Sequence, residues 1–186
     1  MVKRLFDVLC AAVALVISAP LIGIAAIGIK LTDPGPVFFR ARRVGYLGRE
    51  FTMFKLRTMR QTTEGVNGPL ITGRRDPRVY PLGQLLRRMK IDELPQLFNV
   101  LRGQMSLVGP RPLPQRDYDR LEDWHRKRNL VLPGITGLWQ VSGRSELDFD
   151  ELVRLDFLYL ERWSVFLDLT ILLKTLPAVA RAKGAW

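Results

Sequence analysis

Histidine and cysteine are nearly missing from this 186-residue chain, which holds one of each, His125 and Cys10. One cysteine excludes an internal disulfide. Cys10 lies in an apolar run and reads as a small buried hydrophobe. His125, between Trp124 and Arg126, reads as an incidental surface residue, and no second histidine exists to share a metal. Acid is scarce too: 18 Asp and Glu stand against 29 Lys and Arg, a formal net charge of +11. Such an excess calls for a polyanionic partner, whether nucleic acid, anionic lipid or a phosphorylated substrate. Internal repeats and low-complexity runs are absent. With 47% hydrophobic and 25% charged residues the composition argues against disorder, and the length suits one domain with a real core.

What is present begins with a long apolar run, residues 5–29 (LFDVLCAAVALVISAPLIGIAAIGI). Its only charge is Asp7, one helical turn from Lys3 and Arg4. As one helix it would measure about 37 Å, enough to cross a bilayer. A cleaved signal peptide fits poorly, because the run is too long and lacks a small-x-small terminus. Pro20, preceded by Ser18 and Ala19, predicts a kink, with Ser18 placed to satisfy backbone groups freed at the bend. Both flanks are basic: Lys3 and Arg4 before, Lys30, Arg40, Arg42 and Arg43 after. Basic residues stay cytoplasmic. A spanning helix and a re-entrant helix both remain open at this point.

TDPGP at 32–36 breaks the helix. Two β-rich runs, about 37–44 and 50–57, predict a hairpin. Residues 60–78, polar and rich in glycine, predict a loop. Helices are expected over 80–90, 92–102, 115–130, 147–162 and 164–182, with a turn-rich loop at 133–145. The last helix is apolar, with Asp168, Lys174 and Arg181 along it; it suits a core position or the headgroup layer.

The chemistry concentrates in KIDELPQLFNVLRGQMSLVGPRP, residues 90–112. Asp92 and Glu93 open the expected helix, where exposed N–H groups favour anions and hold carboxylates ionised. An ionised carboxylate beside a divalent cation is a competent nucleophile toward phosphorus. Arg87, Arg88 and Arg111 are placed to screen a diphosphate. For an isolated Asp-Glu pair, ordinary helix capping is the stronger account. The surrounding segments favour chemistry: RTM at 57–59, GPRP at 109–112 and SGRS at 142–145.

These segments, with TDPGPVFFRARRVG, FKLRTM, DPRV, PGITGLWQVSGR and the LDFLYLERWSVFLDL region, resemble the bacterial sugar transferases over essentially the whole chain. That family comprises small monotopic phosphoglycosyl transferases. The resemblance implies an α+β, mostly helical fold. Residues 1–31 would form a re-entrant membrane helix bent near Ser18 and Pro20. Residues 32–186 would form a cytoplasmic catalytic domain, with a small β-hairpin and amphipathic interfacial helices. It also implies a place on the cytoplasmic face of the bacterial inner membrane, and a minimal member without the spanning helices that precede the catalytic part elsewhere. The reaction it implies moves a sugar 1-phosphate from a UDP-sugar to polyprenol (undecaprenyl) phosphate and releases UMP. Asp92 would be the nucleophile, forming a phosphosugar–aspartate intermediate, and Glu93 a ligand of Mg2+. Arg87, Pro110, Arg111, Lys55, Arg57 and Arg144 match substrate-side positions, and Asp156 an acidic position that supports the site. The implied partners are the donor, the acceptor and membrane lipid, with room for a homodimer and no nucleic acid. Departures from the family's usual residues fall at Ala41, Tyr80, Met89, Lys90, Ser145 and Arg162. Two readings of other classes compete. One is a membrane-anchored basic module without catalysis, binding anionic lipid or nucleic acid. The other is a glycosyltransferase, which would release UDP.

Overall fold

A computed structural model describes residues 2–60, 76–142 and 148–180. Most of the expected 60–78 loop, and the 143–147 segment that carries Arg144 and Ser145, lie outside the described residues.

The apolar run forms α1 (Val2–Thr32), a 31-residue helix that continues through Pro20. Among the described residues it is the one helix long and apolar enough to cross a membrane. Pro20 takes away the donor to the Val16 carbonyl, at a cost of about 3 kcal/mol. Ser18 does not repair this: its hydroxyl donates to the Leu15 carbonyl at 3.3 Å. The helix persists because packing holds both of its limbs. Asp7 and Ala11 are buried on the first limb, Ala25 and Ile29 on the second, each pair one turn apart on a single face. Ala11 joins a core with Leu97, Val100, Met105, Leu107, Tyr159 and Ile171. Ile29 joins a second core with Leu56, Leu86 and Ile91. Burying one such isoleucine contributes about 1.5–3 kcal/mol, so a few contacts per limb offset the proline. Between the limbs, Val16 and Ile17 are 75% and 74% exposed.

The expected hairpin forms from β1 (Phe38–Val44) and β2 (Glu50–Leu56), antiparallel, with Phe38 opposite Leu56 and Val44 opposite Glu50. Asn99, fully buried, fastens it: its Oδ1 accepts from Phe54 N and its Nδ2 donates to the Thr52 carbonyl. α2 (Pro81–Arg88) starts on Pro81 as expected and lays Leu82 and Leu86 on the second limb of α1.

The single helix expected over 92–102 is not there. Ile91–Glu93 forms a 3-10 turn, and α3 (Gln96–Leu101) begins only after Pro95. The reason is Lys90, whose left-handed backbone (φ 58°) folds the chain back after α2, so that the acids sit in a tight turn. β3 (Ser106–Val108) follows and pairs in parallel with β4 (Gly134–Thr136) inside the expected 133–145 loop. Gly109 and Gly134 permit that pairing, since a Cβ on Gly134 would lie 2.1 Å from Gly109 N.

The charged stretch 115–130 is also not one helix. It divides into α4 (Gln115–Tyr118), α5 (Asp123–Arg126) and a 3-10 turn, Lys127–Leu130. Breaking there lets Leu121, His125 and Arg128 all turn inward. His125 is therefore buried, not an incidental surface residue. Its Nδ1 accepts from Glu122 N, and its Nε2 lies 3.0 Å from Asp150 Oδ1. α6 (Leu138–Ser142), α7 (Phe149–Glu161) and α8 (Val165–Ala180) complete the described residues. Asp148 and Glu151 cap α7 reciprocally. α8 buries Asp168 and Ile171 and leaves Phe166, Leu173 and Leu176 at 80%, 67% and 70% exposure. Among the described residues the fold is thus mostly helical, with two small two-stranded sheets and an apolar N-terminal helix.

Candidate active site

Asp92 and Glu93 are only 6% and 7% exposed. Their surroundings differ sharply. Glu93 Oε1 accepts from Lys55 Nζ on β2 and from Arg111 Nη2 beyond β3, each at 2.8 Å, and Lys90 Nζ lies 3.8 Å away. Arg111 leads the charges that hold the Glu93 carboxyl well below its usual range, against the opposing effect of burial. Burial lowers the Lys90 ammonium, and Glu93 only partly offsets this. Asp92 has no such company. Its Oδ1 is buried without a hydrogen-bond partner. Burial, then the charge of Glu93, push its carboxyl up to about 6, with Lys55, Lys90 and Arg87 pulling the other way. The sequence expectation that both acids are held ionised by a helix N-terminus is corrected here: the cations bond to Glu93, and Asp92 is left desolvated.

Arg87, on the last turn of α2, is within electrostatic reach of Asp92 and donates through Nε to Thr58 Oγ1 at 2.8 Å. Gly83 brings α2 against this segment: a Cβ there would lie 2.2 Å from the Thr58 carbonyl. Lys55, Arg87 and Arg111 therefore converge on the acids. Arg57 does not. It is buried against the end of α1, where its Nη1 pairs with Asp33 Oδ2 at 3.0 Å, and the Tyr80 hydroxyl donates to its carbonyl. Pro110, next to Arg111, is buried, and its carbonyl accepts from Gly134 N at 2.9 Å. Asp156 reaches the site only indirectly. Its Oδ2 pairs at 2.6 Å with Arg128, which also donates to the Arg111 carbonyl at 3.1 Å. Burial pushes the Asp156 carboxyl up to about 6 against the pull of Arg128.

Sequence reasoning missed three contributors: Lys90, Thr58 and Arg128. Lys90 adjoins the acids and was within reach as a third cation. Arg128 looked like one more charge on a solvated helix, and nothing local marks it as buried.

Among the described residues no group of three or more His, Cys, Asp or Glu could hold a metal. That donor set does not suit zinc. It suits Mg2+, which takes one or two carboxylates and fills its shell with substrate phosphates and water. A buried carboxylate oxygen without a partner beside a second carboxylate is compatible with such an ion.

A model of the bacterial sugar transferase family matches residues 1–182. The chain is 39% identical over 203 residues to the exopolysaccharide production protein ExoY of Rhizobium meliloti (strain 1021), covering 100% of this chain and 88% of that one. It is 39% identical over 199 residues to the undecaprenyl-phosphate galactose phosphotransferase of Salmonella typhimurium, covering 99% of this chain and 41% of the relative. It is 42% identical over 192 residues to the UDP-glucose:undecaprenyl-phosphate glucose-1-phosphate transferase of Xanthomonas campestris pv. campestris, covering 99% and 40%. The chain thus spans less than half the length of the latter two. With the family matched along nearly its whole length, the chain belongs to the bacterial sugar transferases.

Proposed function

We propose that this chain moves a sugar 1-phosphate from a UDP-sugar to a polyprenol phosphate and releases UMP, as an early membrane step of exopolysaccharide synthesis. The observation that carries the reading is the pair itself. One buried carboxylate lacks a partner, and its neighbour is fixed by three cations. A desolvated carboxylate is a stronger nucleophile than a hydrated one, and the cations beside it complement a diphosphate.

In this reading Asp92 attacks the β-phosphorus, and the bond from that phosphorus to the bridging oxygen breaks. UMP leaves with the electron pair, and the sugar phosphate remains on Asp92 as a mixed anhydride. A polyprenol phosphate oxygen then attacks the same phosphorus and Asp92 departs as the carboxylate. Arg87 and Arg111 bind phosphate oxygens, and Lys55 holds Glu93 in place. Glu93, with Asp92 beside it, would hold Mg2+, which when bound offsets the charge of the diphosphate. Asp156 acts as a positioning residue, through Arg128, on the segment that carries Arg111.

The contacts of α1 support a membrane arrangement. Arg4 donates to the Val100 and Leu101 carbonyls at one end, and Asp33 pairs with Arg57 just past the other. Both ends are bonded to one small body, whereas a spanning helix must separate its ends by about 30 Å of hydrocarbon. This supports residues 1–31 as a re-entrant, monotopic anchor with its exposed middle in lipid. It also supports residues 32–186 as a catalytic domain on the cytoplasmic face of the inner membrane. The bare apolar side of α8 suits the headgroup boundary.

Nucleotide release tests the reaction. Purified protein with Mg2+, undecaprenyl phosphate and a panel of UDP-sugars should yield acceptor-dependent UMP, lost in Asp92→Asn. UDP as product would mean glycosyl transfer instead.

A further inference from the structure

The two faces of the β1–β2 hairpin differ. One packs inward: Ala41 and Met53 are buried in the first core, and Lys55 on that side reaches Glu93. The other carries Phe38, Arg40 and Arg42 along β1, with Arg40 opposite Phe54 and Arg42 opposite Thr52. Arg40 and Arg42 are exposed, and so is Arg102, just past α3. The Arg102 guanidinium lies over the Phe54 ring, 5.2 Å from its centroid, which joins the end of α3 to this face. Phe98, one turn before Arg102, is 44% exposed, and Phe38 is 45% exposed. Among the described residues Arg40, Arg42 and Arg102 pair with no acid. Glu50, at the turn end of the same face, is diagonal to Arg42 and makes no ion pair. Three guanidiniums without a counter-charge, set among exposed phenylalanines, suit a partner with both an anionic and an apolar part.

We propose that this face binds the headgroup of an anionic phospholipid beside α1. The inference rests on the re-entrant reading of α1 above and adds a membrane contact besides α1 and α8. Position carries it. Gly103, next to Arg102, lies against the start of α1: a Cβ there would come 3.5 Å from Arg4 Nη2. Val2 and Leu5 in that first turn are 67% and 62% exposed, so in that reading the headgroup layer begins where Arg102 stands. The guanidinium forks take the phosphodiester oxygens, and Phe38 and Phe98 meet the first acyl carbons. The reacting phosphate of the acceptor is not the occupant, because this face points away from Lys55 and hence from the acids. A nucleic acid would use the same charges but has no need of a site bordering an apolar helix.

The test is native mass spectrometry of the purified full chain, taken from micelles that hold equal phosphatidylglycerol and phosphatidylcholine. Wild type should retain phosphatidylglycerol in preference. An arginine near an anionic surface contributes about a fivefold preference. Arg40→Gln/Arg42→Gln/Arg102→Gln should therefore cut the preference at least about tenfold. Its flotation with liposomes and its acceptor-dependent UMP release in detergent should match wild type. Arg116→Gln/Arg120→Gln/Arg126→Gln removes the same charge from another exposed surface and should keep the preference. Equal losses in the two triple variants would mean net charge and not a site, and would overturn the proposal. So would an unchanged preference in the hairpin variant while wild type floats, which leaves the anchor reading standing. A wild type that does not float sinks both. Loss of oligonucleotide binding in the hairpin variant, with its lipid preference unchanged, would give the face to nucleic acid instead.

Discussion

Two pairs of buried acids invite comparison. Asp7 and Asp168 are each 1% exposed, more deeply buried than Asp92 and Glu93. Yet the first pair is fully served. Asp7 accepts from Leu107 N at 3.1 Å, Asp168 accepts from Tyr159, Trp163 and Lys3, and Lys3 lies 3.9 Å from Asp7 as well. These bonds fasten α1 to α8 and β3. In the second pair Glu93 is crowded with cations and Asp92 keeps a bare oxygen. Burial of an acid therefore marks neither chemistry nor structure by itself. Between these two pairs the difference is satisfaction: Asp7 and Asp168 are fastenings, whereas Asp92 keeps a bare oxygen beside a neighbour that takes the cations.

Asp92→Asn should separate the two kinds of acid most widely. Turnover should fall on the order of 10⁴-fold or more, as when a nucleophile is lost. Stability should move the opposite way at neutral pH. The Asp92 carboxyl is raised to about 6 in the fold, against about 3.9 in an unfolded chain. A raised group contributes stability at low pH and loses it as pH climbs through about 6. Ionised Asp92 therefore costs the native state about 1–3 kcal/mol above pH 7. The variant should melt higher than wild type at pH 7.5, and the gap should close near pH 4. Asp168→Asn should instead melt lower at pH 7.5, by about 2–3 kcal/mol, because Lys3 loses its charged partner in a buried setting. Thermal melts of both variants across pH decide this; equal signs would erase the distinction.

Glu93→Gln comes next. Turnover should drop about 100-fold, since Lys55 and Arg111 lose the charge that orients them. The acid limb of kcat/KM is the sharper readout. Without a bound cation the Asp92 carboxyl ionises near pH 6, and Mg2+ beside it should pull the limb below that. Removing the neighbouring negative charge should move it lower. A limb that stays fixed would mean that some other group titrates.

Much of this was legible in the sequence, for reasons that differ by element. The hairpin was readable because its strands alternate around a glycine turn, and α2 because Pro81 opens it. Asp92 and Glu93 were readable because they stand in a long matched segment. Their environment was not. Lys90 takes a left-handed backbone that no propensity predicts for lysine, and it turned an expected helix start into a 3-10 turn. Arg57 matched a substrate-side position, yet lies against Asp33, because the chain that leaves α1 returns beside β2. Arg128 and His125 were hidden because 115–130 carries charge on every side. Only the tertiary fold decides which charges turn inward.

The smallest expected effect probes how the site holds its cations. Arg87 is fixed by one bond to an uncharged hydroxyl, Thr58, whereas Arg111 is fixed by an ion pair with Glu93. Thr58→Val keeps the shape and removes the hydroxyl. A hydrogen bond with one charged partner is worth about 1.5–3 kcal/mol, and the half-buried Arg87 places it at the low end, so kcat/KM should fall about tenfold to thirtyfold. The effect should appear in kcat more than in KM if Arg87 binds the phosphoryl group more strongly in the transition state than in the bound donor. The acid limb should stay where wild type has it, because Thr58 carries no charge. A shift of the limb would show that Thr58 acts on Asp92 and not on Arg87.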